Sequence, residues 1–264
     1  RLKRVDLSNV EELRSWMNPE FANGPLEVSV VGDVDRTAAT DAIAQTIGAL
    51  PIRQNIKPRA DAADVKAPVK QGQPMIWSVN PKLNQIAVAH YWPLNVITDY
   101  HAERRCRLLG NVIEERLRVR VREELGAAYS VTTRLIVNEG FPQQNFIQIY
   151  VEVEANRANE VDQLIRREIV SMRREGITKD EFERSKQPFL AQRKVDLRQN
   201  SYWGRTVLRD VQNKPERLSA ARDRAEDSNA ITQSEVQSLI DLYLEPAAAF
   251  TFRTAPYQHT DQRP

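Results

Sequence analysis

The strongest constraint on this chain is a long amphipathic helix ended by a glycine. From about residue 99 to 125, Leu109, Ile113, Leu117, Val121 and Leu125 recur at every fourth position, and Leu108 and Val112 widen the stripe. A helix turns about 100° per residue, so this spacing gathers the apolar side chains on one face. A face of that length must pack on something, most simply a sheet. Gly126 stands where a helix C-terminus takes a left-handed residue.

The flanking sequence supplies the sheet. "QPMIWSV" (73–79) and "NQIAVAHYW" (84–92) are strand-like and joined by the turn-like "NPK", with Pro93 as the stop of the second. Two more strands are expected at 128–137 and 145–154, linked through "NEGFPQQ"; the second alternates as "FIQIYVEVE". An amphipathic helix at 157–175 ends at Gly176, and Thr178 with Glu181 makes a capping box. The helix it opens is expected to reach about Gln199, kinked at Pro188. Further helices are expected at 201–212, 215–227 and 232–243, and "AAAFTFRT" gives a last strand. Strands joined by short loops are antiparallel neighbours, so the fold class is α+β: a largely antiparallel sheet covered by helices on one face.

The first fifty residues have a different order. Residues 5–17 suggest a helix with Ser8 as N-cap and Glu11 three residues on. "NGP" (23–25) is a turn, the valine-rich "LEVSVVGDVD" (26–35) suggests a strand, and 37–50 a second helix. The proline-bearing stretch after it lacks any period. The expected organisation is therefore residues 1–51 as the C-terminal portion of a preceding α/β unit, 52–70 as a linker, and 71–264 as a complete α+β domain. The chain opens on Arg1 inside a helix-like pattern, as a piece cut from something longer would, so the lack of a targeting signal says little.

Several chemistries find no support. Net charge is +2 from 38 basic and 36 acidic residues, which argues against nucleic-acid binding. No stretch approaches the roughly 20 apolar residues of a membrane span. A single cysteine, Cys106, excludes an internal disulfide and a thiolate-built zinc site, and its helical setting suggests an inert thiol. His90, His101 and His259 are the three histidines, and none lies in H-E-x-x-H or H-x-x-E-H. His90 shares a strand face with Ile86, Val88 and Trp92, which suits a core histidine. No nucleophile elbow, Walker A loop or dinucleotide fingerprint is present. Glu114–Glu115 and Glu123–Glu124 diverge on a helix and suggest solvated surface, and Arg116, Arg118, Arg120 and Arg122 fan around the axis instead of forming a phosphate strip.

"LLGNVIEERLRVRVREELGAAYSV" (108–131) resembles the motif in the C-terminal half of pitrilysin/insulinase-type zinc metallopeptidases, a helix ending in Arg-Glu-x-Leu-Gly-x-x-Tyr-Ser. Arg122, Glu123, Leu125, Gly126, Tyr129 and Ser130 match every fixed position. "VSVVGDVD" with "GALPIR" resembles the end of the preceding family domain, and "GITKDEFERSKQPFLAQR" and "SYWGRTVLRDVQNKPERL" resemble the helical layer that follows. The resemblance runs over essentially the whole chain in one order.

The resemblance implies two related halves closing on an unfolded peptide. The N-terminal half, fused or separate, would carry H-x-x-E-H and zinc; this half would hold no cofactor and would not be catalytic alone. It also implies that Arg122 and Tyr129, seven positions apart, converge on one peptide carbonyl, and it favours a periplasmic location by analogy. The chemistry is sound, because amide hydrolysis puts negative charge on the carbonyl oxygen, which a guanidinium and a phenol can stabilise beside a Lewis acid. From spacing alone, Arg122 could instead pair with Glu115 or Glu124, and Tyr129 could cover the sheet. A structural or peptide-binding subunit of the same fold is the alternative function.

Overall fold

The computed structural model describes residues 9–53, 65, 75–79, 85–94, 97, 99–126 and 130–256. The chain divides into two compact units, Arg1–Arg59 with Asp196–Ala221, and Ala60–Val195 with Arg222–Pro264.

In the first unit, α1 spans Val10–Asn23 and α2 spans Arg36–Gln45, followed by a 3-10 turn at Ile47–Ala49. The α1 N-cap is Asn9, whose side chain accepts from Glu12 N at 2.8 Å, and not Ser8, which lies outside the described residues. The helix also runs on through Pro19 and closes as Gly24 N donates to Glu20 O at 2.7 Å. Asp35 caps α2 by accepting from Ala38 N at 2.8 Å. The strand expected at 26–35 does not form: Leu26–Val31 carries no ladder. A strand needs a neighbour for its N–H and C=O groups, whereas a helix satisfies them internally. Ser29 instead donates to Leu208 O, and Glu27 accepts from Gln212 N. The regular helix expected at 201–212 is replaced by a short turn, Asn200–Tyr202, and a π-helical turn, Trp203–Val207, beyond which Asp210 is left-handed with φ 56°. The expected linker lies outside the described residues except Ile52, Arg53 and Val65.

The second unit is α+β. Its strands are β1 (Met75–Val79), β2 (Gln85–Leu94), β3 (Val131–Ile136), β4 (Asn145–Glu154) and β5 (Phe250–Pro256). Its helices are α3 (Tyr100–Leu125), α4 (Ala158–Glu175), α5 (Lys179–Asp196, its last residue in the first unit), α6 (Glu216–Ala230, which begins in the first unit) and α7 (Gln233–Tyr243). The sheet order is β1-β5-β2-β4-β3, antiparallel except for the β1–β5 pair. The first two strands are therefore not neighbours as their short connection suggested; β5 is inserted between them. β2 also continues through Pro93, because β5 pairs only with Val88–Tyr91 and leaves β2 a free side there, where a strand tolerates proline.

One sheet face is sealed. Ile147, Ile149, Val151 and Val153 of β4 and Ile86, Val88 and Trp92 of β2 pack into one core with the α3 stripe, Val161, Leu164, Ile165 and Ile169 of α4, and Val236 and Ile240 of α7. On the opposite face, the Tyr91 ring meets those of Phe146 and Phe250 at 6.1 and 6.2 Å. Buried ion pairs fasten the helices. Asp227 accepts from Arg104 and Arg105 at 2.8 Å each and lies 2.7 Å from His101 Nδ1, which joins α3 to α6. The capping box at Thr178 and Glu181 is formed. Glu181 is also gripped by Arg116 through two bonds of 2.6 and 2.7 Å, which joins α3 to α5.

Candidate functional site

The site expected from the sequence sits at the C-terminal end of α3. The apolar stripe drives Val121 and Leu125 into the core, so the helix phase turns Arg122 outward to solvent. Gly126 adopts φ 61° and donates its N–H to Arg122 O at 3.1 Å, the left-handed stop its position called for. Arg157 Nη1 donates to Leu125 O at 2.9 Å, satisfying another carbonyl of the helix end. On the other flank, Glu114 accepts from Thr133 N at 2.7 Å, which ties α3 to the start of β3. The end of α3 and the start of β3 are thus each anchored. Ser130 is exposed, and Tyr129 lies outside the described residues.

The arginines of this segment have different fates. Arg116 is buried against Glu181, Arg118 pairs with Glu115 at 2.7 Å, and Arg120 pairs with Glu123 at 3.3 Å. Arg167 takes Glu124 at 2.7 Å. Both acidic partners open to Arg122 in the sequence are therefore engaged elsewhere, and Arg122 has no ion-pair or hydrogen-bond partner for its side chain among the described residues. Sequence reasoning missed Glu114 and Arg157, since their partners are backbone groups fixed only by tertiary packing. Glu114 and Glu115 are half-buried and bonded, not the solvated surface expected.

The remaining candidates behave as structural groups. Cys106 is buried, which with nearby Glu103 pushes its thiol up to about 11, an inert state. His90 is sealed in the core beside Asp162. Among the described residues, no three His, Cys, Asp or Glu side chains gather to hold a metal ion. Neither described histidine fits zinc: His90 is locked beneath the sheet and His101 is committed to Asp227. No helix among the described residues is long and apolar enough to cross a membrane.

The family signature described as the peptidase M16 inactive domain matches residues 9–189, well over half the chain. The chain belongs to the M16 inactive-domain family. Solved M16 structures share its fold. The crystal structure of the periplasmic protease PqqL from Escherichia coli is 20% identical with a TM-score of 0.56, covering 86% of this chain and 25% of that one. A peptidase M16 inactive domain from Pseudomonas fluorescens is 19% identical with a TM-score of 0.63, covering 89% of this chain and 54% of its own. A conserved protein from Enterococcus faecalis V583 is 16% identical with a TM-score of 0.72, covering 96% and 57%. This M16 domain thus spans between a quarter and about three fifths of the chains it resembles. No curated protein matches it.

Proposed function

We propose that this chain is the non-catalytic, substrate-holding half of a zinc metallopeptidase, in which Arg122 and Tyr129 bind and polarise one carbonyl of a bound peptide. The observation that carries this reading is the Arg122 side chain, exposed and without an acidic partner among the described residues, while Arg116, Arg118 and Arg120 are each engaged by a glutamate. A guanidinium free of local carboxylates can still spend its donors on a substrate oxygen. The anchored end of α3 supports it, since preorganised donors stabilise developing charge best. Membership of a family described as inactive, and likeness to proteases, support a half that works beside a catalytic one. In this reading the zinc and its histidines belong to an N-terminal half, fused or separate, and residues 1–51 are the tail of a preceding α/β unit, joined by 52–70 to the domain at 71–264. Substrates are peptides or unfolded proteins.

Combining the chain with its zinc half and assaying peptide cleavage tests this. Arg122→Ala and Tyr129→Phe should each lower kcat by about 100- to 1,000-fold, as loss of one oxyanion donor does elsewhere. Circular dichroism and melting should show both variants folded. Unchanged turnover in both would reject the role, and an intact pair that binds peptide without cleaving it would point to a scaffold.

A further inference from the structure

A charge cluster around a buried histidine of the second unit has no part in that reading. His90 of β2 is 0% exposed and stacks on Trp92, with ring centroids 5.6 Å apart. Its Nε2 lies 2.9 Å from Asp162 Oδ1, close but not aligned as a hydrogen bond, and its Nδ1 is buried without an acceptor. The other oxygen of Asp162 takes Arg166 at 3.1 Å and Arg253 at 2.8 Å. Arg166 also donates to Thr251 on β5 at 3.0 Å, and Arg253 donates to Asn159 on α4 at 2.6 Å. The cluster thus spans three elements: β2 with His90, α4 with Asp162 and Arg166, and β5 with Arg253. Beside His90 in the ladder stand Ile149 of β4 and Thr251 of β5, and the buried residues of α7, Val236 and Ile240, are apolar. The charged groups that act on the ring are Asp162, Arg166 and Arg253.

The charges do not balance. One carboxylate lies between two guanidiniums, so with neutral His90 the cluster already carries one positive charge in excess. A proton on the ring would add a second, at a side chain sealed from solvent and with an N–H lacking an acceptor. We propose that this cluster is an acid-sensitive latch on β5: protonation of His90 repels Arg253 and frees the strand that carries it. β1 follows, because β5 is its ladder partner.

Burial, the largest influence, pushes His90 below its ordinary 6.5 despite the pull of Asp162. The released form therefore binds the proton more readily than the latched form, and the latch weakens as pH falls below about 6.5, by up to tenfold per pH unit for one proton. The deepest carboxylates do not act in this window. Against the cost of burial, Asp162 is held well below the usual range by His90 and Arg166, Asp227 likewise by His101, Arg104 and Arg105, and Glu181 at about 2 by Arg116 and Thr178.

Hydrogen exchange of the intact chain, followed by mass spectrometry from about pH 7.5 to about pH 4.5 and corrected for intrinsic rates, tests the latch. Protection of Phe250–Arg253 and Met75–Val79 should fall by up to tenfold per pH unit below about 6.5 while α3 keeps its protection. His90→Gln should flatten that slope, and His101→Gln should leave it as in the wild type. Should His90→Gln fail to fold, histidine C2-hydrogen exchange in the wild type reads the ring directly. A ring that titrates near 6.5 while β5 stays protected overturns the proposal. So does unchanged protection down to about pH 4.5, or equal loss from α3 and β5 at the same pH.

Discussion

Trp92 and Trp16 mark the contrast between the two units: the first is 1% exposed and the second 75%. The second unit buries an unbroken core between sheet and helices, whereas among the described residues of the first unit only Val207 and Arg217 are buried. Both segments carry comparable patterns, an alternating valine-rich run beside amphipathic helices. In the second unit "FIQIYVEVE" finds β2 and β3 as neighbours and becomes β4; in the first, "LEVSVVGDVD" has no ladder and stays irregular. The helices α1 and α2 form regardless, because their hydrogen bonds are local and each has a side-chain cap. Alternation therefore states a capacity for pairing, and tertiary context decides whether it is used.

The sharpest test of this contrast is truncation on each side of it. Ile149→Ala or Ile113→Ala, both fully buried, should cost about 2–5 kcal/mol in urea denaturation followed by circular dichroism. Leu13→Ala, on an exposed face of α1, should cost no more than about 0.5 kcal/mol. A large loss from Leu13→Ala would mean the first unit has a core after all.

A smaller effect is expected at the end of α3. Gly126→Ala places a Cβ on a φ of 61°, where it meets no atom within 4 Å, so the penalty is backbone strain alone, about 1–2 kcal/mol. The same denaturation series reads it, and a neutral result would show that the bend tolerates another conformation.

Cap removal should distinguish the units again, more weakly. Thr232→Ala breaks a complete capping box on α7 and should lower global stability by about 1 kcal/mol. Asn9→Ala removes a single bond and should reduce helicity near α1 without moving the cooperative transition of the second unit.

The last effect depends on pH and belongs to Glu181. Burial works against its charge, but bonds from Arg116 and Thr178 hold it at about 2. Because the folded value is depressed, the stabilisation is complete above the unfolded value of about 4.3 and is lost as pH falls towards 2. Midpoints of urea unfolding between about pH 5 and pH 2 should show Glu181→Gln with a flatter acid limb than the wild type. Equal slopes would mean that Arg116 holds the neutral side chain as well.

What the sequence revealed depended on how local the cause was. The span of α3, the left-handed Gly126, the Thr178–Glu181 box and the full length of β4 follow from spacing within a few turns, and all are present. The insertion of β5 was hidden, because nothing near residue 80 records a partner near residue 250. The same holds for the site. Arg122 was singled out by its motif alone, and its outward direction follows from the stripe. Glu114 and Arg157, which anchor β3 and α3, were invisible because Thr133 N and Leu125 O carry no residue-specific signature.

The placement of β5 also orders events during synthesis. β1 leaves the ribosome before β5, and the segment that lends it a ladder follows only after the five helices α3–α7 have been made. Until then its backbone must be satisfied by water or by a chaperone, and closing so long a loop is slow. The sheet therefore cannot close until β5 has been made, and the interval is when the nascent chain is most open to mispairing.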